Sequence, residues 1–436
     1  MCMIAHSTRL FETYRMRPKL SRLNDFEESY EGSKFDGNTP NLDLLGVFYD
    51  FFVWEPISRW LLLHTENNLG AAAVLYYKPC IIYFCLVCIG EFSHDDSRRL
   101  LFGRSRANYF YEPALGNCNK TKICTNLTQG YDKFKNEKPE NDGLLLLTRW
   151  ILSMSAQNSS LKKTIHECEF VIWRGTITRL MFSCYESGPY SVGIKVACCK
   201  FKGIYFIREY DTKAKTKNEN LRNDYEQRMG YAGHKFEQIV TVGNLNMRPC
   251  TSQPLDLNSA FIGIFKASLN PPSNLTCSNT NSQIFHLFYG AEIDCISPSS
   301  GQHLELKTQY KNIGFGKGFS SKALKWWIQS YLAGIKQLVI GLHENLKLNR
   351  VDLIDVNSLV KYFSLNDFKP TCCFAFLYLF LQTIKSYLDQ AIEGDILIAE
   401  RLPNSNEFNF QLLKLDSDLA NNYSVLCDEF KAHGWQ

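Results

Sequence analysis

Two pairs of charged residues lie close together between positions 290 and 307, GAEIDCISPSSGQHLELK, and they raise the first chemical question. Glu292 and Asp294 alternate with Ala291, Ile293 and Cys295, while Glu305 and Lys307 alternate with Leu304 and Leu306. Successive side chains of a strand point to opposite faces, so each charged pair shares one face and the apolar set takes the other. The Pro/Ser/Gly turn at 297–301 is short enough to join two such strands as an antiparallel hairpin. If that hairpin is symmetric, Asp294 lies opposite Glu305 and Glu292 lies opposite Lys307. Carboxylates facing each other across a ladder repel. A hard divalent cation resolves the conflict, because Mg²⁺ takes carboxylate and carbonyl oxygens. Zinc is disfavoured, since no His or Cys shares the face. An amine two residues beyond a metal-binding Glu, about 7 Å along the strand, can polarise a phosphate or hold an attacking water. Phosphoryl transfer is therefore the first chemistry to test, against the plainer reading of a solvated polar face.

The surroundings suit a polyanionic substrate. Between 307 and 343 there are six lysines (307, 311, 317, 322, 325 and 336) and no Asp or Glu. The overall charge of +4 is too small to announce a nucleic-acid binder by itself. With 436 residues, 45% hydrophobic and 21% charged, the chain reads as a globular protein with ample core. Its 16 cysteines are irregularly spaced and often adjacent, as in Cys198-Cys199 and Cys372-Cys373, which suits free thiols in a reducing compartment. Cys85 and Cys88 form a lone CxxC without a second pair. The apolar run 80–89 is far short of the ~20 residues a membrane span needs, and no secretory signal is evident. No Gly-rich phosphate loop occurs.

The elements that must position these residues follow from periodicity. Residues 1–45 read as a polar arm, and 47–89 as a strongly apolar segment. A helix is predicted over 144–152, and strands over 170–173, 192–197 and 203–207. Tyr225, Met229, Ala232, Phe236 and Val240 mark one stripe of a helix over 225–240, with Glu226, Gly230, Gly233 and Glu237 on the neighbouring stripe. The two glycines weaken that helix by about 1 kcal/mol each relative to Ala and leave bare backbone beside Glu237. Residues 254–281, rich in Asn, Ser and Pro, read as a connection. Ser321 is expected to cap a helix to about 333, with Gly334 as its stop, a core face at Leu324, Trp327, Ile328, Tyr331 and Leu332, and Gln329 on the polar face. A buried strand is expected over 337–342 and an apolar core helix over 371–384. A helix with an acid, a hairpin with two acids and an ExK, a basic helix, then a strand: that order outlines an α/β (α+β) fold. It has mixed twisted β-sheets flanked by helices and a PD-(D/E)xK-nuclease-like core.

At this point the residues resemble the DXO/Rai decapping exoribonuclease family. Trp173-Arg174-Gly175 resembles the family's first motif, whose Arg approaches RNA. Gly233 to Glu237 resembles its Gly-apolar-x-apolar-Glu motif, with His234 in place of an apolar residue. Glu292-Ile293-Asp294 and Glu305-Leu306-Lys307 match its Glu-apolar-Asp and Glu-apolar-Lys pairs. Trp326 to Ser330, with Leu332-Ala333-Gly334, resembles the last motif, whose Gln contacts substrate. The likeness runs from about Gly90 to the last helices, which defines one catalytic domain, 90–436, after an N-terminal region 1–89. An entry segment that the family has once occurs twice, at 45–48 and 89–93, so 47–89 looks like an insertion.

The resemblance implies that Glu237, Glu292, Asp294 and Glu305, with the Leu306 carbonyl, hold one or two Mg²⁺ ions, which Mn²⁺ can replace. It implies catalytic roles for Glu305, Lys307, Asp294 and Gln329. It implies substrate contacts from Arg98, Asp142, Trp173, Arg174, Gly175, Glu292, Lys307 and Gln329. The expected activity is hydrolysis at incompletely capped, NAD-capped or 5′-phosphorylated single-stranded RNA ends, with 5′→3′ degradation. The expected setting is the nucleus, with the cytosol second, as a monomer without membrane attachment, beside a larger 5′→3′ exoribonuclease. A non-catalytic RNA-end binder serving such a partner, or a DNA nuclease on the same core, are the competing functions.

Overall fold

The computed structural model describes residues 62–65, 83–134, 142–156, 159–272, 283–363 and 368–436. The expected arm 1–45 and most of the suspected insertion, all but 62–65 and 83–89, lie outside the described residues.

Two mixed sheets carry the fold. Ten strands form the first, in the order Leu62–Thr65, Glu407–Leu413, Ile396–Arg401, Ile194–Phe201, Ile204–Tyr210, Phe170–Trp173, Phe285–Glu292, Ala260–Leu269, Phe84–His94 and Leu100–Phe102. The second has seven: Gly116–Asn117, Lys347–Asp355, Gln337–Glu344, His303–Tyr310, Cys295–Ile296, Tyr109–Phe110 and Thr241–Val242. The largest core lies between the sheets. It gathers Tyr289 and Ala291 from the first, Leu338 and Ile340 from the second, and the apolar sides of the helices Arg174–Phe182, Phe319–Tyr331 and Pro370–Asp389. Leu304, Leu306 and Val339 point the other way, onto Phe236 and Val240 of the helix Asp224–Val240. Alternation along His303–Tyr310 therefore drives Glu305 and Lys307 inward, to the side facing the first sheet.

The helix Asp224–Val240 starts at a capping box, with Asn223 and Glu226 each accepting the other's backbone N–H at 3.0 Å. Tyr225, expected on the buried stripe, is exposed because it lies in the first turn, beyond the sheet. The sheet comes close enough to this helix that a Cβ on Gly341 would lie 2.5 Å from the Phe236 ring.

Several expectations need correction. The acidic hairpin is not one continuous ladder: Glu292 ends a strand of the first sheet, while Cys295 and Ile296 pair with Leu304 and His303 in the second. Ile293 and Asp294 are the crossing between sheets, so Glu292 has no cross-strand partner in Lys307. Ala260–Leu269, inside the supposed connection, is an interior strand of the first sheet, paired on both sides. Its polar flanks hid a strand whose two-sided burial erases alternation. Phe84–His94 crosses the expected boundary at 90, so 84–89 belong to the first sheet. Ser321 sits inside its helix, which begins at Phe319 after Gly318 without a side-chain cap. Gly334 does stop it, at φ +64°.

The apolar helix expected over 371–384 spans Pro370–Asp389, and its 20 residues reach membrane-span length. Its Phe374, Leu377, Phe380 and Leu381 are core residues. All described cysteines are free thiols. The six lysines after Glu305 do not share one solvated face. Lys322 and Lys325 lie over the Trp326 and Phe182 rings, and burial followed by the nearby Lys307 charge pushes Lys322 down to about 8.

Candidate active site

Glu305 is wholly buried, and both its oxygens are taken. The Lys307 ammonium and the Gln329 amide donate to Oε1, each at 2.5 Å, and the Arg174 guanidinium donates to Oε2 at 3.1 Å. Three elements deliver these groups. Lys307 follows two residues on along the same strand. Gln329 comes from the helix Phe319–Tyr331, which links that strand to its parallel neighbour Gln337–Glu344. Arg174 opens the helix Arg174–Phe182. Burial alone would raise the Glu305 carboxyl, but Lys307 and then Arg174 outweigh it and hold it below the usual range. Burial would likewise depress the Lys307 ammonium, but Glu305 and Asp294 hold it above its ordinary value.

Arg174 is placed by the packing of the residue before it. Trp173 pairs in parallel register with Gly290, and a Cβ there would sit 2.4 Å from the Trp173 ring. The Trp173 indole donates to the Gly143 carbonyl at 2.7 Å. Past this wedge the chain turns into a helix whose first residues, Arg174, Gly175 and Thr176, line a cavity of about 430 Å³. A cation beside a helix N-terminus makes an anion site. Arg179, Arg208 and Gln329 line the same cavity.

On the other side lies a cavity of about 850 Å³, into which Glu237, Glu292, Asp294 and His234 all face. A Cβ on Gly230 or Gly233 would meet nothing within 4 Å, so the bare backbone beside Glu237 opens onto space rather than a strand. Asp294 Oδ2 accepts the Leu306 N–H at 2.7 Å, which ties the crossing between sheets to the Glu305 strand. Burial, then Glu305, keeps the Asp294 carboxyl well above the ordinary carboxylate range. Burial, then Glu237, raises Glu292 as well. The Glu237 carboxylate, 3.6 Å away, raises the His234 imidazole.

Acids gathered in one wall at this electrostatic cost are a donor set that fits a hard divalent cation. The side chains have settled on protein partners instead, Glu305 on its three donors and Glu237 on His234, 3.6 Å away. Among the described residues no three His, Cys, Asp or Glu close to ion-holding distance.

The structure thus gathers Glu237, Glu292, Asp294, Glu305, Leu306, Lys307, Gln329, Trp173, Arg174 and Gly175 around one centre. Arg98 and Asp142 stand apart: they pair with each other at 3.7 Å and line neither cavity. Sequence reasoning missed Arg179, Arg208 and Arg222 as wall residues, since no spacing connects them. Arg106, beside aromatics in the sequence, carried a faint signal and lines the larger cavity.

Comparison with known proteins places the chain in a family. The profile of the RAI1 like PD-(D/E)XK nuclease family matches residues 87–431. Decapping nuclease dom-3 of Caenorhabditis elegans is 33% identical over 255 residues, 58% of this chain and 62% of that protein. The decapping and exoribonuclease protein of Xenopus laevis is 28% identical over 317 residues, 68% of this chain and 75% of that protein. Scheffersomyces stipitis Rai1, solved in complex with (3′-NADP)⁺ and calcium ion, superposes with a TM-score of 0.63 at 17% identity, over 87% of this chain and 99% of that one. Candida albicans Rai1 in complex with pU5-Mn²⁺ gives 0.62 at 16% identity, over 80% and 96%. The chain belongs to the RAI1-like PD-(D/E)XK nuclease family and has its mixed α/β fold.

Proposed function

We propose that this member of the RAI1-like nuclease family is a divalent-metal-dependent hydrolase of RNA 5′ ends. It removes incomplete or NAD-type caps and degrades 5′-phosphorylated RNA in the 5′→3′ direction. One observation carries the reading. Buried Glu305 and half-buried Lys307 sit between a cavity with Arg174, Gln329 and a helix N-terminus in its wall and another walled by Glu237, Glu292 and Asp294. Relatives named as decapping nucleases and exoribonucleases support it.

Glu237, Glu292, Asp294 and Glu305, with the Leu306 carbonyl, would hold the metal. When bound, Mg²⁺ or Mn²⁺ supplies Lewis-acid polarisation of the phosphate and a more acidic water. Rai1 structures solved with Mn²⁺ and with calcium support a divalent ion. Lys307, kept protonated by Glu305 and Asp294, neutralises phosphate charge or orients the nucleophile. Gln329 directs its amide N–H to the scissile phosphate, and Arg174 with the following helix N-terminus takes its neighbour. The chain works as a monomer. It acts in the nucleus on RNA quality control beside a larger 5′→3′ exoribonuclease.

The test is a panel of end-labelled RNAs (5′-triphosphate, monophosphate, unmethylated cap, NAD cap) incubated with Mg²⁺ or Mn²⁺. Turnover should require the metal and vanish in Asp294→Ala. Tight binding of RNA ends without turnover on any member would replace the nuclease with the non-catalytic partner role.

A further inference from the structure

Between the first sheet and the helix Asp224–Val240 the chain makes a strap that buries almost nothing. Its helix, Lys213–Asn220, has no buried residue, and Leu221 to Gln227 are exposed throughout. A helix polar on every side gains little from packing, so its composition is not explained by the core. The charges of its first turn also run against its own dipole, while Lys217 in the last turn suits it. Lys213 and Lys215 occupy the first turn, no acid does, and the only cap is Thr212 accepting the Lys215 N–H at 3.1 Å. Lys215 is tied to Asp211, but Lys213 and Lys217 have no ion-pair partner among the described residues. Four positions apart, they share one face. A local rule broken without a structural gain points to use elsewhere.

The ends of the strap say where. Glu209, just before it, lines the smaller cavity, and Arg222, Gln227 and Gly230, at its far end, line the larger one. The strap therefore runs from the rim of one cavity to the rim of the other. Its helix carries three lysines against one acid, Glu219, and Arg222 follows.

We propose that this strap is a phosphate track: Lys213 and Lys217, with Arg222 at the cavity rim, hold the backbone of single-stranded RNA passing the catalytic centre. The proposal rests on the nuclease reading and adds a site, with Lys213 and Lys217 outside both cavities and Arg222 at the rim of the larger, that recognises length and charge rather than the 5′ end.

The test is fluorescence anisotropy of wild type and Lys213→Gln/Lys217→Gln with 5′-phosphorylated single-stranded RNAs of about 20 and about 4 nucleotides, under chelator, from about 50 to 200 mM salt. A control, Lys336→Gln/Lys347→Gln, removes the same charge from exposed positions outside both cavities. Two lost single-strand contacts should flatten the salt slope for the long RNA by about 1.4, so its affinity loss over that range shrinks roughly sevenfold. The short RNA should change less than about twofold, and the control should behave as wild type. A slope equal to the control's overturns the track. Wild-type turnover, measured in parallel with metal, separates the two readings: turnover with an unchanged slope sinks the track alone, whereas its absence sinks the nuclease reading.

Discussion

Replacing Arg174 with Met keeps an apolar stem and deletes the cation on Glu305 Oε2. Both groups are almost completely buried, at 7% and 0% exposure, and 3.1 Å apart. At an effective dielectric near 20, the direct attraction at that distance is about 5 kcal/mol. Breaking a buried pair from one side usually costs about 3–5 kcal/mol. Lys307 and Gln329 stay on the other oxygen, so Arg174→Met should cost about 3 kcal/mol. Glu305→Gln should cost about as much, about 3 kcal/mol, because it leaves the Arg174 cation buried without its partner. With that charge gone, Asp294 loses a repelling neighbour and can ionise beside Lys307. In the double variant the Arg has no partner left to lose, so the cycle should close with about 2 kcal/mol of coupling. Urea unfolding of the four proteins, followed by circular dichroism, measures this. Additivity within about 0.5 kcal/mol would refute the claim that this pair holds Glu305 in place.

Three further outcomes follow from the same contacts. Raised Asp294 and Glu292 keep protons that the unfolded chain has lost, so metal-free stability should fall as pH rises above the ordinary carboxylate range, and Asp294→Asn should flatten that slope. Glu305, held low, acts oppositely, and its contribution disappears only as pH falls through its depressed value. Mg²⁺ at a hundredfold excess over its Kd should add about 2.7 kcal/mol, with a larger thermal shift near pH 8 than near pH 6; scanning fluorimetry that showed no Mg²⁺ effect would count against the donor set. Gly290→Ala should cost about 1–3 kcal/mol and slow RNA hydrolysis, because its Cβ must displace Trp173 and Arg174 with it; unchanged kcat and Tm would contradict the wedge. Gln329→Ala should lower kcat about a hundredfold while costing only about 1 kcal/mol in stability, read by single-turnover kinetics and urea titration.

Much of the site was legible because strand chemistry is local. Glu305 and Lys307 declare a shared face by period alone, and the apolar residues between them declare the opposite face. Gly230 and Gly233 beside Glu237 announced open backbone, and the cavity is there. What failed was non-local. Glu292 and Asp294 read as one ladder with Glu305 because sequence shows alternation but not which sheet a strand joins. Ala260–Leu269 escaped because a strand buried on both faces has no alternation to show. The grip of Arg174 on Glu305 spans 131 positions and left no trace in the sequence; the family resemblance implied for Arg174 only a contact with RNA. Arg179, Arg208 and Arg222 reach the walls through the fold alone.

The central claim is that acids from a helix, an inter-sheet crossing and a strand share a divalent cation beside Lys307. Crystals grown with Mn²⁺ and a 5′-phosphorylated oligonucleotide, with data collected at the manganese absorption edge, address it directly. An anomalous peak ringed by Glu237, Glu292, Asp294 and Glu305, with the 5′-proximal phosphate against it, is the result predicted. Manganese bound elsewhere, or those four carboxylates unmoved with RNA seated away from them, would contradict it.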